Sequence, residues 1–209
     1  MERMELMLNM MERITECREC DLRKAYDSPV PCAGSITARV MLIGEAPGAD
    51  EVDEGKPFVG RSGQLLRSTI KEVGIDLSDL FVTNTILCRP PNNSFPKEME
   101  PVFACRHWLV EQFDFVRPKF VVALGGKAHK HIGEAATGIT TAVGIWKQWT
   151  PPWSDDRVWY MATLHPSFCL RGPSGRTSNA VMEMTSEQKK GLLKRTFESL
   201  KERLDDEAG

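Results

Sequence analysis

Four short apolar runs, spaced along the chain by amphipathic stretches, constrain its fold more than any other feature. They are residues 39–44 (Arg-Val-Met-Leu-Ile-Gly), 80–86 (Leu-Phe-Val-Thr-Asn-Thr-Ile), 120–125 (Phe-Val-Val-Ala-Leu-Gly) and 158–163 (Val-Trp-Tyr-Met-Ala-Thr). Strands this uniformly apolar must be covered on both faces, which is the pattern of a parallel sheet sandwiched by helices. The intervening stretches supply those helices. Leu65, Leu66, Thr69, Ile70 and Val73 fall on one helical face, with Gly74 placed to end it. Pro101 opens a helix through Trp108 to about Phe115, and Pro118 halts it. A further helix is expected over residues 127–132, and Leu192, Leu193, Phe197, Leu200 and Leu204 mark an amphipathic C-terminal one. At the start, Met4, Met7, Met11 and Ile14 recur at helical spacing, and the methionines are expected in the core. Residues 133–157, rich in Gly, Thr, Pro and Trp, read as irregular. The expectation is an α/β fold: a single three-layer α/β/α domain over residues 1–209, with a central four-stranded parallel sheet, an N-terminal segment and a C-terminal helix.

In such a sheet, ligands gather where strands end at their carboxyl edge. The loop after the first run is Gly44-Glu-Ala-Pro-Gly48, continuing to Pro57-Phe-Val-Gly60; the second run carries Asn84 and leads to Cys88-Arg-Pro-Pro91. The third gives Gly125-Gly-Lys127 and the fourth His165-Pro-Ser167. A carboxylate, an aromatic ring, an amide and an imidazole thus converge on one edge, a set suited to gripping a flat heterocycle. No phosphate loop is present: Gly125-Gly-Lys lacks the Walker spacing, and no Gly-x-Gly-x-x-Gly follows a strand.

Six cysteines complete the inventory, four of them arranged as Cys17-x₂-Cys20 and Cys88-x₁₆-Cys105. Four thiolates suit zinc or an iron–sulfur cluster, and buried packing is the alternative. The first 14 residues mix Glu2, Arg3, Glu5, Glu12 and Arg13 among apolar ones and have no uninterrupted apolar core, so a reducing, cytoplasmic setting is expected and disulfides are not. Cys32 and Cys169 lack ligand spacing and read as packing residues. A bound metal would tie the N-terminus to the middle of the fold.

With 41% apolar residues the chain can bury a large core, and it has no run long enough to span a membrane. The net charge of −2 excludes a generally basic coat, but residues 169–204 hold eight Lys/Arg against four Glu. Such a run could meet a phosphate backbone, although it more often forms a solvated helix face.

Taken in order, Gly44-Glu-Ala-Pro-Gly48, Gly55-Lys-Pro-Phe-Val-Gly60, Gly63-Gln-Leu-Leu66, Asn84 with Cys88-Arg-Pro-Pro91, Cys105, Leu124-Gly125 and His165-Pro-Ser167 resemble the iron–sulfur-containing family 4 uracil-DNA glycosylases. With Cys17 and Cys20, the resemblance spans roughly residues 17–171. It implies a DNA-repair hydrolase that flips uracil out of DNA, single- or double-stranded, and cleaves the N-glycosidic bond to leave an abasic site. Cys17, Cys20, Cys88 and Cys105 would hold a 4Fe–4S cluster. Gly44, Phe58 and Asn84 would bind uracil, and His165 would donate to its O2. Glu45, and after it Glu51, would orient the water; Leu170 would fill the gap left by the flipped base while Arg171 meets a phosphate. A monomer is expected.

The departures matter as well. Ala46 stands where the best-known branch of the superfamily places an aspartate base, Val52 follows Glu51 where family 4 has aspartate, and Ser94 replaces a common arginine. Residues 150–157 and 172–190 exceed the family pattern. A glycosylase-like DNA-binding module with weak or no activity, or a glycosylase for another modified pyrimidine, is the alternative function.

Overall fold

The computed structural model describes residues 2–25, 28–132, 137–173, 175 and 179–207. In chain order its elements are α1 (Glu2–Glu16), α2 (Asp21–Ala25), β1 (Ala33–Gly34), β2 (Val40–Gly44), α3 (Ala49–Glu54), α4 (Arg61–Glu72), β3 (Leu80–Asn84), α5 (Glu100–Val116), β4 (Phe120–Leu124), α6 (Gly126–Ile132), α7 (Ile139–Ala142), β5 (Lys147–Trp149), β6 (Val158–Thr163), α8 (Pro166–Cys169) and α9 (Ser186–Asp206), with short 3₁₀ turns before β3 and α5.

The sheet has the order β1-β3-β2-β4-β6-β5. Its four middle strands are the four apolar runs, and they are parallel to one another. The expected four-stranded sheet is therefore corrected to six strands, since two short antiparallel strands, β1 and β5, close its edges. Neither edge strand carries the apolar run that marks a buried one: β1 is two residues long, and two of the three residues of β5 are exposed. Residues 133–157 accordingly contain α7 and β5 rather than irregular chain alone, with residues 133–136 outside the described part.

Strand alternation divides the sheet between two cores. Met41, Ile43, Phe81, Val121, Ala123 and Tyr160 face one side and pack against α1, α5 and α6 through Met10, Ile14, Trp108, Phe113 and Ala128. Val40, Leu42, Leu80, Phe120 and Val122 face the other and pack against α4 and α9 through Leu66, Ile70, Leu193, Phe197 and Leu200. The expected opening helix needs one revision. Met10 and Ile14 are fully buried and Met7 and Met11 partly so, but Met4 is 54% exposed. Met10 and Ile14, spaced by four, define the buried stripe; Met4 lies off it.

Cys32 and Cys169 are buried in the two cores, as packing residues should be. The basic run is largely a solvated helix face: Lys190 pairs with Glu187 at 2.7 Å, Lys194 with Glu72 at 2.5 Å, and Lys201 with Asp205. No described helix is long and apolar enough to cross a membrane.

Chain order reverses direction at β2, because β2 connects to β3 on one side while β4 lies on the other and leads on to β6. At such a switch point the loops leaving neighbouring strands part, and a crevice opens at their carboxyl ends.

Candidate active site

That crevice is a cavity of about 210 Å³ lined by Glu45, Gly48, Glu51, Phe58, Asn84 and His165 together with several loop residues. It is below the ~300–1,000 Å³ usual for drug-sized ligands, and suits a single base. Of the six residues expected to bind or act on a base, all but Gly44 line the cavity, and the loops that bring them leave three strand ends.

The β2–β3 register sets Gly44 directly beside Asn84. A Cβ on Gly44 would come within 2.3 Å of the Asn84 Oδ1 and 2.5 Å of the Phe58 ring, so glycine is what lets the amide and the ring share the cavity floor. Phe58 adopts a left-handed φ of 56°, uncommon for a bulky residue. Two contacts hold it there: Arg67 donates to its carbonyl, and Gly63 presses so close that an added Cβ would sit 1.6 Å from that oxygen. The ring is 6% exposed, and its centroid lies 6.0 Å from that of His165.

Asn84 is 2% exposed, and its Oδ1 has no hydrogen-bond partner among the described residues. Buried side-chain oxygens are rarely left so, because the loss is about 1–3 kcal/mol. The side chain lines the cavity, so a base entering there is the candidate partner for its amide.

His165 caps α8. Its Nδ1 accepts the Ser167 backbone N–H at 3.2 Å and lies 2.8 Å from the Ser167 hydroxyl. Since a backbone amide can only donate, the neutral ring carries its proton on Nε2. Burial, helped by the nearby Arg171 charge, pushes the imidazole pKa down to about 4. It is therefore a neutral donor at physiological pH.

The two glutamates, of which the sequence put Glu45 first, are held differently. Glu51 spends both oxygens on backbone amides, Oε2 accepting from Gly48 at 3.0 Å and Oε1 from Gly60 at 2.8 Å, and so pins both ends of the segment between them. Glu45 uses only Oε1, accepting the Lys127 N–H at 3.1 Å; no hydrogen bond among the described residues takes its Oε2. Burial raises its pKa, opposed by the Lys127 amide and by the charges of Lys127 and Arg171. Gly125, at φ 104°, lets it approach His165: a Cβ there would lie 2.3 Å from Glu45 Oε1 and 2.9 Å from the His165 Cβ.

Sequence reasoning missed the far wall. Phe95, stacked on His131 at 5.4 Å and 8°, lines the cavity with Asn93, Pro90 and Ser62. Asn92 and Asn93 both have φ of 54°, and paired asparagines after Pro-Pro were the signal available, because asparagine tolerates the left-handed turn that returns this loop to the pocket. Leu170 and Arg171 follow α8 directly. Leu170 is half-buried, and Arg171 is exposed with its guanidinium 5.6 Å from the Phe168 ring centroid. A second cavity, about 190 Å³, runs from Glu45 and His165 to Phe168 and Arg171.

Cys17, Cys20, Cys88 and Cys105 line a separate small cavity with Arg23 and Trp108, whose indole N–H donates to the Cys17 Sγ at 3.4 Å. All four are free thiols. Burial, reinforced by the neighbouring sulfurs, pushes Cys88 and Cys105 up to about 12 and raises Cys20. Among the described residues, no three His, Cys, Asp or Glu side chains converge tightly enough to hold one metal ion.

An α/β sheet with a small cavity at its switch point is a ligand-binding architecture, and the comparisons give the family. Residues 31–189 match the model of the uracil DNA glycosylase superfamily. The chain is 36% identical to a type-4 uracil-DNA glycosylase of Sulfurisphaera tokodaii over 83% of its length and 80% of the relative's. It is 34% identical to one of Thermotoga maritima over 92% and 97%, and 37% identical to one of Pyrobaculum aerophilum over 79% and 85%. The chain belongs to the uracil DNA glycosylase superfamily, within its type-4 branch.

Proposed function

We propose that this protein releases uracil from DNA by hydrolysing the C1′–N1 bond, leaving an abasic site. The observation that carries this is the buried, unpartnered Oδ1 of Asn84 beneath a cavity shared with Phe58 and a neutral His165. A base inside a duplex is beyond reach, so the nucleotide is flipped out. Its face stacks on Phe58. Asn84 Oδ1 accepts from uracil N3–H while the amide NH₂ donates to O4; cytosine, with an acceptor at N3 and an amino group at C4, presents the opposite pattern.

As the glycosidic bond breaks, its electron pair passes to the uracil ring and charge gathers on O2. The Nε2–H of His165 meets that charge, and one such prepared donor contributes about 2.7–4 kcal/mol. Water adds to C1′, its oxygen forming the new C1′–OH bond, and the proton it loses passes through solvent to the released uracil anion. Glu45, whose Oε2 is taken by no hydrogen bond among the described residues and which lines the same cavity as His165, is the group for orienting that water or for facing the sugar cation. Glu51, with both oxygens committed, braces the loop. Leu170 fills the vacated stack and Arg171 contacts a phosphate.

The four cysteines would hold a 4Fe–4S cluster. A single zinc ion draws its thiolates to about 3.8 Å of one another, given Zn–S near 2.3 Å, whereas a cluster presents a separate iron to each sulfur. Four free thiols lining one cavity suit such a cluster. Thiols raised this far ionise when a metal supplies the balancing charge. When bound, the cluster would supply cross-linking of the N-terminal segment to the loop after β3.

The test is incubation with single- and double-stranded oligonucleotides carrying one uracil, followed by alkali. Strand scission that disappears in Asn84→Ala and His165→Ala is expected. Binding without scission would instead indicate a DNA-binding module, and scission only at another modified pyrimidine a different substrate.

A further inference from the structure

A fully buried lysine lies under the segment that carries Leu170 and Arg171. Lys189, in the first turn of α9, has no exposed surface. Its ammonium donates to the carbonyls of Arg171 at 3.0 Å and Gly172 at 2.9 Å, and stands 4.1 Å from the centroid of the Phe168 ring. No carboxylate pairs with it among the described residues. Lysine is almost never fully buried unless paired. Here the charge is met by two backbone dipoles and an aromatic face instead. The neighbouring chain is stitched the same way: Ser186 Oγ donates to the Cys169 carbonyl at 2.6 Å, and Thr185 caps α9 by accepting the Gln188 N–H.

An apolar side chain would fill this space without desolvating a charge, so the lysine is not explained by packing. What it does that no apolar residue can is fix two consecutive carbonyls just beyond α8, on the short stretch that begins at His165. We propose that Lys189 is a positioning residue for DNA strand separation: from beneath, it sets the 170–172 segment at the height where Leu170 can enter a vacated base stack and Arg171 can reach the flanking phosphate. This rests on the reading of Leu170 and Arg171 given above. Lys189 is the last residue of the stretch that matches the family model, well separated in sequence from the 170–172 segment it holds.

A single strand has no paired partner to part from, whereas a duplex has a gap opposite an orphaned base that must be held open. Removing the clamp must therefore harm double-stranded substrate selectively. The experiment measures single-turnover uracil release from matched single- and double-stranded oligonucleotides, and the rise of 2-aminopurine fluorescence next to uracil as a report of flipping. The proteins are wild type, Lys189→Met, the gentler Lys189→Gln, and Leu200→Ala as a core-destabilised control from the same helix. For Lys189→Met, the double- to single-strand rate ratio should fall about tenfold, the scale of losing a charge-assisted hydrogen bond, with a matching loss of fluorescence amplitude. Lys189→Gln, which keeps donors without charge, should fall between, and Leu200→Ala should keep the wild-type ratio despite a lower melting point. A wild-type ratio in Lys189→Gln, and in Lys189→Met wherever it folds, overturns the proposal. Leu170→Ala and Arg171→Ala separate the two readings. If they lower the ratio and the Lys189 variants do not, only the clamp fails; if they too leave it unchanged, the reading of the 170–171 segment fails first.

Discussion

Asn84 ends β3 with a buried oxygen that no hydrogen bond among the described residues satisfies, and a single-atom change tests what it awaits. Asn84→Asp keeps the size of the side chain but replaces its donor with a second acceptor opposite uracil O4. The loss of one hydrogen bond in a buried site is about 1–3 kcal/mol, so single-turnover release should slow roughly 5- to 150-fold. An unchanged rate would remove Asn84 from base recognition. The histidine and the glutamate make a pH prediction. With its pKa at about 4, His165 stays neutral through the range where an ordinary histidine titrates, so kcat/KM should show no inflection near 6.5. The acid limb should instead follow the raised pKa of Glu45, activity falling as pH drops through it, and Glu45→Gln should flatten that limb while Glu51→Gln retains it. Stability carries the same signature. Below about 6.5 the unfolded chain takes up a proton on this histidine that the native state refuses until about 4, so stability falls as pH drops across that window, by up to about 3 kcal/mol. Equilibrium unfolding of wild type and His165→Asn at several pH values checks it.

At the scale of elements, the pocket depends on how closely α4 approaches the loop before it. Gly63 in the first turn of α4 lies against the Phe58 carbonyl, where a Cβ would be 1.6 Å from the oxygen, and backbone cannot swing aside as a side chain can. Gly63→Ala must push the loop outward, shifting the ring that stacks on the base. Overpacking of this kind destabilises by about 1–3 kcal/mol, and because the displaced group is the binding platform, KM for uracil-containing DNA should rise as well. Steady-state kinetics with a melting curve measures both. These elements also mark what was readable in the sequence and what was not. The four middle strands were legible because burial on both faces writes an unbroken apolar run, and α4 and α9 because their buried stripes repeat at helical spacing. Edge strands β1 and β5 write no such run. The difference between Glu45 and Glu51 was hidden for another reason: it lies in which backbone amides each carboxylate meets, and Gly48, Gly60 and Lys127 are brought to them only by folding. Phe95 escaped likewise, since the turn at Asn92 and Asn93 decides where it points.

Across the whole molecule, the cysteine centre joins the chain's beginning to its middle. Cys17 and Cys20 follow α1, Cys88 follows β3 and Cys105 lies in α5, so a bound cluster would close loops of roughly 70–90 residues; in the chain-entropy model one such cross-link removes about 4–5 kcal/mol of unfolded-state freedom. Protein purified without oxygen should then be brown, with about four irons per chain and no stoichiometric zinc. Cys88→Ser and Cys105→Ser should lose colour and melt well below wild type. Their effect on chemistry should be indirect, because Asn84, His165 and Glu45 are held by hydrogen bonds and glycine contacts that do not involve the thiols. At a temperature where the variants remain folded, saturating single-turnover release should therefore stay close to wild type, while the melting midpoint and α1 protection from hydrogen exchange fall. A colourless, zinc-loaded protein would replace the cluster with a different metal. A brown protein whose cysteine variants lose the chemical step itself, while still folded and DNA-bound, would mean that the centre does more than hold α1 against the sheet.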